Sequence, residues 1–510
     1  MNQIALMPAR YDEKIPSDHL VRVVNQAIED LKLDPLLHQY TGGGTSSYHP
    51  KMMLKILIYG YCKKIYTSRR IAAAVRENIH FMWIAGENTP DHRTINDFRG
   101  NRMQPVIAEV FHAVVEYLVE GKYVKLENYF ADGTKIEANE NKHKVVWAKR
   151  KKRYKKAVKE QVNELLKQIE AENAAEEAEY GERDLEEMGG NGNEDVNGER
   201  LRKKIAELNE RLRDKLQKRE QTSTRQALKK LESNCLPRLE KYEEQTKMLA
   251  GRNSYSKTDP DATCMRMKED RGAERPWAKP AYNVQTGTEG QFIIGYSVHN
   301  KSSDPICLIE HLDGLQQLPK KVVADAAYGS EENYDYLQIH EVENYVKYST
   351  FYQDTHHYRN LEIIRKHQFR SDHFDYDPKT DQFICPAKKR LSYQYTSKYK
   401  TENGYESQRR HYECNECQNC PLKSQCTKAK GNRHIQVSFR LIEFRKQARE
   451  NLTSDLGKEL RARRSVEVET VFGHIKHNMG FRRFHLRGLK KVNTEWGLVC
   501  IAHNMRKLAG

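Results

Sequence analysis

Apolar positions recur at helical spacing through the first quarter of the chain, in HLVRVVNQAIEDL (19–31), MMLKILIYGYCKKI (52–65) and PVIAEVFHAVVEYL (105–118). The spacing predicts an all-helical segment over residues 1–122, closed at Gly121. Within it, a helix from Pro50 to Ile65 precedes Thr67 and Ser68, good cap residues, and a second helix SRRIAAAVREN. Helix, short turn and basic helix read either as a DNA-reading pair, with Arg69, Arg70 and Arg76 reaching phosphates or base edges, or as a hairpin packed for stability. Asp91 is placed to cap a further basic helix.

The period then drops to two. In ENYFADGTKIEANENK, Phe130, Asp132, Thr134 and Ile136 alternate onto one face of a predicted strand, an expensive place for an aspartate without a task. From Val145 to about Glu244 come helices dense in Lys, Arg and Glu, broken at GGNGNEDVNG (189–198), which reads as an antiparallel helical hairpin with a mobile tip. KPAYNVQTGTEGQFIIGYSVHN predicts a β-hairpin turning at TGTEG. A helix over about 304–315 follows, then KKVVADAAYG, a buried-looking strand with Asp325 at its end, a helix capped by Ser330, and a short strand NYVKYS. Strand, aspartate, small residues, glycine and helix leave a side chain exposed at the carboxyl edge of a sheet.

Residues from about 350 to 439 are rich in Tyr, His, Lys and Cys and show little core of their own. Cys414, Cys417, Cys420 and Cys426 lie in CNECQNCPLKSQC, with Cys385 upstream in CPAKK. Thiolates at such spacing can converge on one structural zinc; the alternative is a set of reduced, packed thiols. Near the C-terminus, Val468, Phe472, Ile475 and Met479 recur as the apolar stripe of a helix ending at Gly480. Glu469 and Lys476, seven residues apart, are expected two turns from each other on one outward side; Glu467 also sits by the stripe and periodicity does not choose between the two glutamates, the favoured reading of Glu467 being a surface carboxylate. Arg482, Arg483, His485 and Arg487 follow, suited to phosphate contacts.

Charge sharpens this picture only in part. The 510 residues carry 87 Lys+Arg against 71 Asp+Glu, a formal net charge of +16, which favours a polyanionic partner. No apolar run is long enough to span a bilayer and the N-terminus has no apolar signal core, so a cytoplasmic protein without membrane contact is expected, its ten cysteines reduced. Asp132, Asp325 and Glu469 sit on separate elements that one mixed sheet can bring together. Two divalent cations about 4 Å apart need such a set of hard oxygen ligands for in-line displacement at phosphorus, and Lys476 would hold the phosphate being cut.

FADGTKIEAN, KPAYNVQ, VVADAAYGS, CPLKSQC and VETVFGHIKHNMGFRRFHLRG, in this order, resemble the DDE transposases of bacterial insertion sequences, most of all the insertion sequence 1182 family. YHPKMMLKILIYGYCKKIYTSRRIAAA and TPDHRTINDFR are similar to that group's helical N-terminal region, so the likeness covers almost the whole chain. The resemblance implies an α/β, ribonuclease H-like mixed sheet interrupted by two insertions and preceded by an all-α DNA-binding domain. The corresponding segments are 1–122; then 123–144, 278–350 and 440–510 for catalysis; and 145–277 and 351–439 as insertions. It implies a triad of Asp132, Asp325 and Glu469 with Lys476, two magnesium or manganese ions, and double-stranded DNA partners: the terminal inverted repeats and a target. A homodimer is expected in the synaptic complex. In place of the arginine and tyrosine that related enzymes carry before the glutamate, this chain has Ser465 and Ala462, with Arg464 one place away. An idle DNA-binding derivative and a metal-dependent nuclease of the same fold are the competing functions.

Overall fold

The structure, a computed structural model, describes residues 10–38, 40, 48–140, 144–180, 197–214, 222–267, 277–355 and 368–510. Its contacts divide the chain into one unit of residues 1–136 and 283–510 and another of 137–282.

In the first unit, the helix Pro50–Cys62 is apolar on almost every side and correspondingly buried on almost every side. Its buried cation, Lys55, is compensated by Asn25 Oδ1 at 2.7 Å and by the Glu29 carboxylate. Thr67 caps the next helix, Ser68–Glu77, and Asp91 caps His92–Asp97, accepting from Thr94 N at 2.7 Å. Short polar side chains before each run thus satisfy amides that have no helical partner. The C-terminal helix Leu489–Leu508 packs against Pro50–Cys62, against Ile107–Glu120 and against the sheet.

That sheet contains β1 (Asn128–Glu137), β2 (Ala278–Glu289), β3 (Phe292–His299), β4 (Lys321–Ala324) and β5 (Glu343–Val346), in the order β3-β2-β1-β4-β5. β1, β4 and β5 pair parallel, and β2 and β3 antiparallel. The exposed edge of β3 is closed by Asn504, which accepts from Ile293 N and donates to Ile293 O, both at 2.8 Å. The β2–β3 turn is made by Gly290 and Gln291, both at positive φ, and Thr286–Glu289 belong to the strand. The turn expected at TGTEG is therefore displaced. Gly287 serves instead to clear the Tyr129 ring, which a Cβ there would meet at 1.7 Å. Glu289, buried, accepts from four successive amides, Lys125 to Asn128, at 2.6–3.0 Å and so fixes the chain entering β1.

Residues 368–439, expected to lack a core, form an antiparallel sheet with one. Its strands are β6 (Asp375–Asp377), β7 (Gln382–Ile384), β8 (Arg390–Lys400), β9 (Glu406–Cys414) and β10 (His434–Val437), ordered β10-β9-β8-β7-β6. Phe374, Phe383, Leu391, Tyr412, Ile435 and Val437 pack together on one face. Exposed Tyr393 lies beside Tyr412 on the core side, and after a register shift Tyr395 and Tyr399 are exposed on the other face while Lys398 and Lys400 are exposed opposite them, which is why the alternation of β8 is hard to read as apolar against polar.

A continuous helical run follows through Asp455–Arg464, Ser465–Glu469, Thr470–Gly473 and His474–Asn478, and Gly480 at φ +71° ends it. Val468, Phe472, Ile475 and Met479 are buried as one stripe. Glu469 and Lys476 do not both face outward: the Glu469 side chain is 62% exposed, whereas Lys476 is 8% exposed. Wide, π-type turns at Ser465–Glu469 and His474–Asn478 take more residues per turn, so a spacing of seven no longer returns to the same side. The same turns bury Glu467, expected at the surface; it accepts from Gln291 N at 2.7 Å and pairs with Arg463 at 3.1 Å.

In the second unit, Ala148–Tyr180, Gly198–Asp214 and the pair Thr222–Lys230 and Leu236–Leu249 pack around Val158, Val162, Leu165, Leu201, Leu231 and Leu239. Three helical legs replace the predicted hairpin, because Leu201 and Ile205 give Gly198–Asp214 its own apolar seam. Of the mobile tip expected over 189–198, only Asn197 and Gly198 lie within the described residues. Val145–Trp147 pairs with Ser254–Ser256, and Thr263–Arg266 pairs with the opening residues of β2, Ala278–Ala281.

Candidate active site

The register of β1 on β4 ends with Ala131 opposite Ala324, so Asp132 and Asp325 are the next residues of two neighbouring parallel strands. Asp132 is buried, with Oδ1 accepting from Gly133 N at 2.8 Å. Asp325 is half-buried and caps the turn after β4, accepting from Ala327 N at 2.9 Å. The glycine after Asp132 is required by space: a Cβ on Gly133 would meet Gln285 Nε2 at 2.3 Å and Asp304 Oδ1 at 3.0 Å.

Asp304 is a further carboxylate that sequence reasoning missed. It is held by Asn283 Nδ2 at 2.7 Å and lies 3.4 Å from Gln285 Nε2. Gln285 in turn accepts from the Tyr328 hydroxyl. Tyr328 is fully buried, with Asp304, Asp132 and Asp325 around it, and burial first and those carboxylates second push its phenol well above the usual range. The available signal was the alternation in YNVQ, which puts Asn283 and Gln285 on one face of a strand otherwise suited to apolar side chains.

Glu469 reaches the strand ends through Arg464. One guanidinium nitrogen lies 3.6 Å from Asp132 Oδ2 and the other 3.6 Å from Glu469 Oε1. Arg464 is mostly buried, and its Nη1 makes no hydrogen bond, so the cation is retained for charge rather than for directed bonding. Lys347, directly after β5, was also missed. Burial lowers its pKa first, Arg464 and Arg461 lower it further, and Asp325 and Glu469 oppose them, so this lysine sits between the cations and the carboxylates.

Asp132, Asp325, Asp304 and Glu469 form a donor set of carboxylates only, which suits a hard divalent cation. Asp132, Asp325 and Glu469 are not drawn within 4.8 Å of one another; among the described residues that distance is met by Asp354, Asp372 and His373. The latter group already holds the Arg370 guanidinium between its two aspartates. Cys414, Cys417, Cys420 and Cys426 surround one cavity together with Cys385. Arg69, Arg70 and Arg76 are exposed on Ser68–Glu77, and Arg482, Arg483 and Arg487 are exposed after Gly480. Arg482 packs back on Lys476 O at 3.1 Å and His477 Nδ1 at 2.9 Å. No helix among the described residues is long and apolar enough to cross a membrane.

Two family models match the chain. One described as a transposase DDE domain matches residues 384–509, which contain Glu469 and Lys476, and one described as a transposase domain (DUF772) matches residues 9–101, which contain the Ser68–Glu77 helix. Asp132 and Asp325 lie outside both stretches. No curated protein and no solved structure matches. Together the two matches support an insertion-sequence DDE transposase, a DNA-processing enzyme.

Proposed function

We propose that the chain binds the terminal inverted repeats of its own insertion sequence, cleaves their 3′ ends and joins them to target DNA. The observation that carries this reading is the convergence of Asp132, within β1, and Asp325, just past β4, where the parallel pairing of the two strands ends, with Glu469 linked to Asp132 through Arg464. The order β3-β2-β1-β4-β5, antiparallel at β2–β3 and parallel at β1, β4 and β5, supports a ribonuclease H-like catalytic core. In this reading residues 145–277 and 351–439 are insertions into that core, and 1–122 form the DNA-binding part.

Asp132, Asp325 and Glu469 would hold two magnesium or manganese ions, which when bound activate the attacking oxygen and offset charge on the leaving one. Asp132 is set by β1 and Asp325 by the turn after β4, so both are positioned before DNA arrives. Glu469, exposed on its helix, completes the set, and Arg464 holds it near Asp132. Lys347 supplies positive charge beside Asp325 and Glu469, and Lys476 is the lysine that would hold the phosphate being cut. Arg69, Arg70 and Arg76 on one helix and Arg482, Arg483 and Arg487 on another segment are suited to phosphates. A homodimer, one subunit for each DNA end, is the assembly this chemistry calls for.

The test combines the purified protein, labelled DNA from the flanks of its own gene, a supercoiled target and magnesium or manganese, beside Asp325→Ala. Cleaved 3′ ends joined to target, absent in the variant, are expected. Cleavage without joining would make the protein a nuclease, and binding without cleavage in either ion would leave it a DNA-binding derivative.

A further inference from the structure

Five cysteines from separate pieces of the second sheet line a single cavity of about 20 Å³: Cys385 after β7, Cys414 at the end of β9, Cys417 and Cys420 in the following loop, and Cys426 closing the short helix Lys423–Cys426. All five are free thiols. A space of that size admits one small ion or one water. Sulfur convergence of this kind, away from the carboxylates, has no part in the strand-end chemistry.

We infer that Cys385, Cys417, Cys420 and Cys426 bind one structural zinc ion, and that Cys414 is not a ligand. Cys426 closes the short helix Lys423–Cys426 against the cavity that Cys385, Cys417 and Cys420 also line. Cys414 is still in the β9 ladder opposite Leu391, on the face of Tyr412, and at 1% exposed is the most buried of the five, deeper in the apolar cluster that Cys417 also joins. Cys385 sits in a tight turn, its N–H donating to Lys389 O at 2.9 Å, which presents the sulfur toward the Cys417–Cys420 loop. The Arg433 amide donates to Cys417 Sγ at 3.3 Å, the outer support that thiolate ligands use.

Charge agrees with this set. Zinc and four thiols release four protons and leave a complex of net charge −2; Lys389, Lys423 and Arg433 line the same cavity. No three sulfurs lie mutually within 4.8 Å, and zinc–sulfur bonds of about 2.3 Å would draw them in. The ion would then tie the β7–β8 turn to the loop after β9, two places with no backbone ladder between them.

Zinc content of the full-length protein, purified without chelators, tests the inference independently of any DNA reaction. One zinc per chain is expected in the wild type and in Cys414→Ser, with loss of the ion in Cys385→Ser. Should Cys385→Ser fail to fold, alkylation of the native wild type read by mass spectrometry takes its place: Cys385 should be protected until zinc is chelated. Cobalt in place of zinc should give the absorption of a tetrahedral all-thiolate centre. A wild type without stoichiometric zinc, a disulfide among the five, loss of zinc in Cys414→Ser, or alkylation of Cys385 with zinc still bound would each overturn it.

Discussion

The strand-end carboxylates and the sulfur-lined cavity are built in opposite ways. The carboxylates come from residues 132, 325 and 469, meet only because β1 pairs with β4 and a helix returns across them, and stay partly open to solvent with a cation between two of them. The sulfurs come from residues 385–426, meet within one small sheet, and are enclosed. Local chain spacing can assemble the second arrangement, whereas the first depends on long-range register. Charge should therefore dominate the behaviour of the first region and packing that of the second.

The largest expected effect would break the comparison at the strand ends. Asp325→Ala should lower cleavage by about 10⁴-fold or more while leaving affinity for end DNA unchanged, because a ligand is lost and no phosphate contact is. Loss of DNA binding in a gel-shift assay would mean that the aspartate is structural instead. Next comes the buried clamp beneath the site. Glu289→Ala strands four amides and should cost about 3 kcal/mol or more in a urea unfolding curve, and an unchanged midpoint would show that the contacts to Lys125–Asn128 carry little.

Two neighbouring glutamates sharpen the contrast within a single helical turn. Glu469→Gln should abolish cleavage with an unchanged melting temperature, and Glu467→Gln should cost about 1–2 kcal/mol of stability, through the Gln291 amide and Arg463, while cleavage persists. The reverse outcome would reassign the third carboxylate to Glu467.

Acid gives the smallest and most diffuse effect. Burial pushes His311 down to about 3 and His503 down to about 4, both from an ordinary value of 6.5. Unfolding lets each take a proton that the folded state refuses, so stability is full above pH 6.5 and declines as pH falls from there toward 4 and below. A melting temperature that rose on acidification over that range would contradict the buried, neutral state of both rings.

Much of the local structure was legible because its causes are local. Thr67, Asp91 and Ser330 announce the helices they cap, and alternation around Asp132 announces β1. What escaped depends on partners distant in sequence. Asp304 and Lys347 look ordinary until β2 and β5 place them beside the strand ends, and Glu467 looks solvated until wide helical turns aim it at Gln291. The second sheet was missed because exposed tyrosines and lysines occupy both faces of the outer half of β8, where an apolar-against-polar pattern finds no contrast.

The helix Leu489–Leu508 bears on how the molecule is made. It lies against Pro50–Cys62, donates from Arg506 to Cys62 O at 2.6 Å, and closes the edge of β3 through Asn504. The apolar faces of Pro50–Cys62 and Ile107–Glu120 are therefore covered only once a helix far along the chain has docked. These helices and the edge of β3 share one long-range support, so loosening Leu489–Leu508 should unsettle both together.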